Sequence, residues 1–187
     1  RAGVPEAERA ALAERALERV RAVPGVAAAA RSYGAPLSRT LTVEKLTVDG
    51  VELPSPIAGG MQFVIAAGDR YFEAMGQRIV RGRAFTADEQ RAGSTGAAAP
   101  VVVSEAFARA AWGGADPIGR CVRRDEQTCA PVVGVADDVT YMSLRDTSVL
   151  VVYQPLSAVG AAPLLQLVVR ARGDDVAATA RAVRAAL

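Results

Sequence analysis

The sequence predicts an α+β fold, and three observations carry that prediction. Helical and strand periodicities mix irregularly rather than in strict βαβ alternation, which argues against a doubly wound parallel sheet. The chain begins on an amphipathic helix and ends on a strand followed by a second helix. Its 187 residues are 51% hydrophobic but only 5% aromatic, so the core of one large domain or two small subdomains has to be filled mostly by Val, Leu and Ala.

Taken in order, Pro5 to Val23 reads as the first helix. Leu12, Ala16, Val20 and Val23 recur at steps of four and three, and Ala13 and Leu17 widen the stripe. Pro5 suits its first turn and Pro24-Gly25 stops it. Val26 to Arg31 is an Ala-rich strand. Leu41 to Leu53 alternates as a hairpin around Asp49-Gly50, a strong turn dipeptide between β-formers. Met61 to Ala67 is a further strand. Asp69 is placed to cap a short helix, Arg70 to Met75, which Gly76 closes. Ile79-Val80 leads into Arg81-Gly82-Arg83-Ala84-Phe85, and Thr86-Ala87-Asp88-Glu89 matches a capping box. The small-residue stretch Arg91 to Pro100 reads as a mobile loop, either a subdomain junction or, as favoured here, a hairpin-like excursion.

Val101 to Val103 is a short buried strand, and Ser104 caps the helix Glu105 to Trp112, which ends at Gly113-Gly114. Asp116-Pro117 makes a turn. Gly119 to Val135 reads as two strands around Arg124-Asp125-Glu126-Gln127. Val149 to Tyr153, ended by Pro155, and Leu164 to Val169 are the remaining strands. Gly173-Asp174 opens the last helix, with Val176, Ala180, Val183 and Leu187 on its apolar face. No internal repeat is present.

Composition excludes several functions. There is no His, so the commonest general base and metal ligand are missing. The balance of 22 Lys+Arg against 20 Asp+Glu is near neutral and argues against a nucleic-acid partner. Lys45 is the single lysine; the Arg bias reads as codon usage in a GC-rich genome ahead of phosphate- or headgroup-binding clusters. No apolar run approaches the roughly 18 residues of a membrane span, and no signal peptide opens the segment.

The conspicuous polar residues have structural readings. Asp137 and Asp138 are strand neighbours whose side chains diverge, so they are poorly placed to share a proton or a metal; Ca²⁺ would need more oxygen ligands than the sequence supplies. No Walker pattern surrounds the lysine, and Ser104 lacks the GxSxG context of a nucleophile. Trp112, and the trio Tyr71, Phe72 and Met75, read as core, with ligand stacking or an exposed partner patch as the sharper alternatives. No catalytic, cofactor-binding or metal residue is assigned. Cys121 and Cys129 are spaced wrongly for CxxC chemistry. If the intervening turn centres near Arg124-Asp125-Glu126, the two face each other at a Cα separation that overlaps disulfide geometry, roughly 4.5–5.5 Å. The expectation is a disulfide in an oxidising compartment and two thiols in a reducing one.

Several stretches then combine into a known pattern. Val101 to Arg109 is followed by Trp112, by Asp116-Pro117-Ile118-Gly119-Arg120, by Val132-Val133-Gly134-Val135-Ala136-Asp137-Asp138-Val139, by Ser143-Leu144-Arg145-Asp146 and by Val152-Tyr153-Gln154-Pro155-Leu156. Upstream lie Leu17 to Val26, Tyr71-Phe72-Glu73-Ala74-Met75-Gly76 and Arg81 to Thr86; downstream lies Leu167-Val168-Val169-Arg170. This order resembles the periplasmic core domain of MacB/FtsX-like ABC transporter permeases, and is especially similar to the duplicated orphan permease branch. The resemblance covers essentially the whole chain.

The resemblance implies a porter-like subdomain built from both chain ends (1–84 and 159–187) and an inserted mixed α/β subdomain (85–158). It marks Tyr71, Phe72, Gly82, Arg83, Phe85, Asp116, Pro117, Gly119, Gly134 and Pro155 as scaffold positions and brings no catalytic residue and no cofactor. It implies membrane helices outside this segment and a placement on the periplasmic side of a bacterial inner membrane. It also implies a cytoplasmic ATPase partner and periplasmic or outer-membrane partner proteins. The function it implies is efflux-type mechanotransmission, coupling ATP hydrolysis to periplasmic movement; a sensor for a small molecule, lipid or peptide is the alternative. The Cys pair and the Gly/Ala loop at 93–99 depart from the family pattern.

Overall fold

The computed structural model describes residues 5–34, 43–49, 51–54, 61–92, 99–125, 127–139, 149–159 and 166–187. In chain order they form α1 (Glu6–Arg21), β1 (Val26–Tyr33), β2 (Val43–Lys45), β3 (Thr47–Val48), β4 (Val51–Glu52), β5 (Met61–Ala67), α2 (Tyr71–Met75), β6 (Ile79–Gly82) and α3 (Ala87–Arg91). They continue as β7 (Val101–Ser104), α4 (Glu105–Trp112), β8 (Cys121–Arg123), β9 (Cys129–Ala136), β10 (Val151–Pro155), a single 3-10 turn (Leu156–Val159), β11 (Gln166–Ala171) and α5 (Val176–Ala186). The Gly/Ala loop expected to be mobile falls largely outside these residues.

The strands form one mixed sheet in the order β11-β1-β5-β10-β7-β9-β8-β3-β4, with β2 also on β5 and β6 also on β9. The β5/β10 and β7/β9 pairs are parallel and the others antiparallel. An α+β class with a mixed sheet is thus what the irregular periodicities produce.

Side-chain alternation sends the central strands' residues to two cores. Val64, Val101, Val103 and Val152 pack with Phe107 and Trp112 of α4 on one face. Phe63, Ile65, Val102, Val151 and Tyr153 pack with Tyr71 and Phe72 of α2 on the other. At the β1 end a third cluster joins Leu17, Val20 and Val23 to Val26 and Ala29, with Val183 and Ala186 of α5 against it. Val26 and Ala29 lie three apart and would point oppositely on a regular strand. A register shift between Val26 and Ala28 adds the extra residue that turns both toward the helices. The Ala-rich run in β1 also has a reason: Ala28 and Ala30 leave room for the large rings of Tyr71 and Phe72.

Several local expectations change in the structure. Leu12, Val176 and Leu187 are 58%, 63% and 60% exposed, so only the inner turns of α1 and α5 use their apolar stripes. The N-cap position of α2 is Arg70, left-handed at φ 61°, with no side-chain cap. Asp69 instead accepts a hydrogen bond from Arg21 at 3.2 Å. Asp175, not Asp174, caps α5 by accepting from the Ala178 N–H at 2.8 Å. The Asp49 turn joins only β3 and β4, while β2 leaves the hairpin line and pairs with β5.

Candidate functional site

The scaffold positions singled out in the sequence gather into two adjoining groups. The first lies where β6 runs along β9. Gly82 is the register partner of Gly134, and the Arg83 N–H donates to the Val133 carbonyl at 2.9 Å. Neither glycine has room for a side chain. A Cβ on Gly134 would lie 2.1 Å from the Arg83 carbonyl oxygen, and one on Gly82 would meet the Val133 carbonyl and the Ile118 methyl. Gly82 is also left-handed at φ 69°, a conformation that favours glycine. The turn carrying Ile118 belongs to the same group. The Asp116 carboxylate accepts from the Ile118 N–H at 3.2 Å, the Pro117 carbonyl accepts from the Arg120 N–H at 3.1 Å, and the Gly119 N–H donates to Val132 at 2.8 Å. Arg81 reaches Asp116 at 3.5 Å and closes the group.

The second group is aromatic. The Phe72 ring packs on Tyr153 at 5.1 Å, on Tyr71 at 5.6 Å and on Phe85 at 6.2 Å, with tilted and edge-on geometries that suit ring quadrupoles. The Tyr153 hydroxyl accepts from the Gln77 amide at 2.9 Å. Pro155 ends β10 two residues on, opposite Ala67 of β5. Tyr153, which lies within the Val152 to Leu156 motif and outside the ten scaffold positions, touches two of them, Tyr71 and Phe72.

Between the groups, Arg83 makes a two-pronged contact with Glu89, both N–H···O distances being 2.8 Å. Glu89 also accepts from the Thr86 N–H at 2.7 Å while Thr86 Oγ1 accepts from the Glu89 N–H, completing the capping box of α3. The Arg83 guanidinium, aided by the Thr86 N–H, holds the Glu89 carboxyl down to about 2. The ion pair lies partly in solvent, so its role is to fix α3 beside the strand ends more than to stabilise strongly.

The two adjacent carboxylates diverge, although they lie just past the end of β9 and not on a strand as the sequence suggests. Asp137 accepts from the Arg78 N–H and Nε at 3.0 and 3.2 Å. Asp138 accepts from the Ala106 N–H at the start of α4 and from Arg109, both at 2.7 Å. It therefore caps α4 together with Ser104, whose Oγ accepts from the Phe107 N–H at 3.2 Å; that second cap depends on a tertiary contact that no local pattern signals. Trp112 is buried against Phe107, ring centres 5.9 Å apart. Among the described residues no three His, Cys, Asp or Glu side chains converge as metal ligands. No described helix is long and apolar enough to cross a membrane.

Cys121 and Cys129 are joined by a disulfide with Cα atoms 5.1 Å apart. The expected register differs by two: Cys121 pairs with Pro131 and Cys129 with Arg123, so the bridge runs diagonally across the hairpin. The turn is centred further along because Asp125 accepts from the N–H groups of Gln127 and Thr128 at 2.9 and 2.6 Å. Beside it, Arg124 hydrogen-bonds Glu44 of β2 and the buried Gln154 of β10, which docks the hairpin on the sheet. The charged members of both groups, Arg81, Arg83 and Asp116, are held by protein partners.

Comparison with known proteins gives a consistent result. The family model described as MacB-like periplasmic core domain matches residues 2–186. Solved structures share the fold at low identity. The extracellular domain of the noncanonic ABC-type transporter YknZ from Gram-positive bacteria superposes with a TM-score of 0.57 at 16% identity, over 89% of this chain and 76% of that one. The periplasmic region of MacB from Actinobacillus actinomycetemcomitans gives 0.60 at 15% identity, over 91% and 70%. A domain of a putative permease protein from Porphyromonas gingivalis gives 0.54 at 15% identity, over 90% and 67%. No curated protein sequence matches the chain.

Proposed function

The chain belongs to the MacB-like periplasmic core domain family, the extracytoplasmic part of ABC transporter permeases, and from that premise we propose that it is a non-catalytic module that transmits movement between a cytoplasmic ATPase and partners outside the membrane. The observation that carries the reading is the family match over nearly the full length. Its host would be a permease in a bacterial inner membrane, with this domain on the periplasmic side. The disulfide supports such a placement, because an oxidising compartment sustains it.

The two-part division, 1–84 with 159–187 and 85–158, is proposed as a division of movement. β5 from the first part and β10 from the second pair over five residues, and their core cluster contains side chains from both. Relative movement would therefore proceed by twist or splay of the sheet at this seam, not by separation of rigid bodies. The paired glycines would link the two parts at a second place, where β6 of the first meets β9 of the second, and the Arg83–Glu89 contact would stiffen the ends of β5 and β10, where Glu89 and Gln90 meet Ser157 and Ala67.

The test is purification of the full-length protein from membranes, with mass spectrometry of whatever accompanies it. An ABC ATPase, as a stoichiometric subunit or in the same polypeptide, is the expected result. A full-length protein that carries and retains no ATPase would remove the reading.

A further inference from the structure

The parallel strands β5 and β10 end in step, with Ala67 opposite Pro155. Beyond that point the Ala67 carbonyl and the Leu156 N–H need partners at a place where residues with little exposure leave scant access for water. Both partners come from one side chain. Gln90 Nε2 donates to the Ala67 carbonyl at 2.9 Å, and Gln90 Oε1 accepts from the Leu156 N–H at 3.3 Å. A carbonyl can only accept and an N–H can only donate, so the orientation of the amide is fixed by its neighbours. The side chain thus presents one donor and one acceptor where the next peptide unit of a ladder would.

The position of Gln90 depends on polar contacts. α3 is five residues long and none of them is buried, so apolar packing cannot anchor it. It is held by its capping box, by Arg83 on Glu89, and by Ser157, whose hydroxyl donates to the Glu89 carbonyl at 3.1 Å. α3 follows directly on the entry to segment 85–158, and Leu156 and Ser157 lie at its exit.

We propose that Gln90 is a side-chain latch, its amide joining the ends of β5 and β10 and tying the entry of segment 85–158 to its exit. Opening it frees the strand ends to splay without disturbing the ladder behind them. The latch stands on this geometry alone; only its use during transport rests on the permease reading.

Two variants of this chain test it. In Gln90→Ala, the Leu156 amide should exchange with solvent about tenfold faster, the loss of one modest hydrogen bond, while the amides of Val102 and Val152 keep their protection. Gln90→Glu keeps the shape but sets a carboxylate oxygen against the Ala67 carbonyl. Only the protonated acid restores both donor and acceptor. Its melting temperature should therefore fall by about 3 °C or more at pH 7 and return toward wild type near pH 4, whereas Gln90→Ala shows no recovery relative to wild type. The ionisable groups nearby are Asp88, Glu89 and Arg91 on α3, Arg83 packed on it and Asp69 beyond β5. They are the same in both variants, so the comparison cancels them. Unchanged Leu156 exchange in Gln90→Ala, or an acid response shared by both variants, would overturn the latch. Loss of the latch with ATPase association intact would leave the functional reading standing.

Discussion

Replacing Gly134 with alanine tests the glycine-paired edge by adding one methyl group. The new Cβ would sit 2.1 Å from the Arg83 carbonyl oxygen and 3.1 Å from its carbon. Both are backbone atoms, so no side-chain rotation relieves the clash. Gly134 is not among the residues with positive φ, and the cost is therefore steric. To accept the methyl, β6 has to move away from β9 by on the order of 1 Å. That displacement weakens the Arg83 N–H bond to Val133 and the Gly82–Gly134 pairing. Overpacking of this kind costs about 1–3 kcal/mol, and a weakened backbone bond adds about 1 kcal/mol. A loss of about 3 kcal/mol corresponds to a melting temperature lower by about 6–12 °C at this chain length. The assay is thermal unfolding by circular dichroism beside Gly114→Ala, where a Cβ meets nothing within 4 Å. Gly114→Ala should melt within about 2 °C of wild type. If the two variants melt together, the glycine pair is not a close approach and the account of the motif fails.

Other predictions follow from the same geometry. Reducing the Cys121–Cys129 bond, sequence separation 8, should cost about 2.5 kcal/mol by the loop-entropy estimate; melting with and without reductant checks this, and a Cys121→Ser, Cys129→Ser chain should be insensitive to reductant. Ser104→Ala removes the acceptor of the Phe107 and Val151 N–H bonds, both 3.2 Å and buried, and should cost about 2–3 kcal/mol in urea unfolding. The Glu89 carboxyl is lowered to about 2 from 4.5. Its contribution is therefore complete above the unfolded value and is lost as pH falls from about 4.5 toward about 2. With an exposed Arg83 partner it is on the order of 1 kcal/mol, and Glu89→Gln should flatten the stability profile in that window.

Much of this architecture can be read from local signals because the forces concerned are local. The Thr86–Glu89 capping box, the Ser104 cap and the Gly76 helix end each involve groups within a few residues, and each forms as its spacing predicts. The misreadings occur where tertiary contact overrides periodicity. Leu12 and Val176 fit their helical stripes, yet the sheet beneath α1 and α5 covers only the inner turns. Asp69 has the right identity for a cap, but the charge of Arg21 claims it. The Cys hairpin register shifts by two because the Asp125 turn residues set the loop centre. The seam between β5 and β10 joins segments about 90 residues apart in sequence. No periodicity within either strand announces that Gln90 will end on both.

The central claim is that this domain moves in response to the ATPase. Spin labels at Arg19→Cys and Ala110→Cys, exposed positions on α1 and α4, would report that movement; the native cysteines, being bonded to each other, take no label. In the full-length protein reconstituted in membranes, pulsed electron–electron distance measurements should give different distributions with ATP and without nucleotide. The difference should vanish when the ATPase is inactivated. Identical distributions in the two nucleotide states, in a complex that hydrolyses ATP, would contradict transmission through this domain.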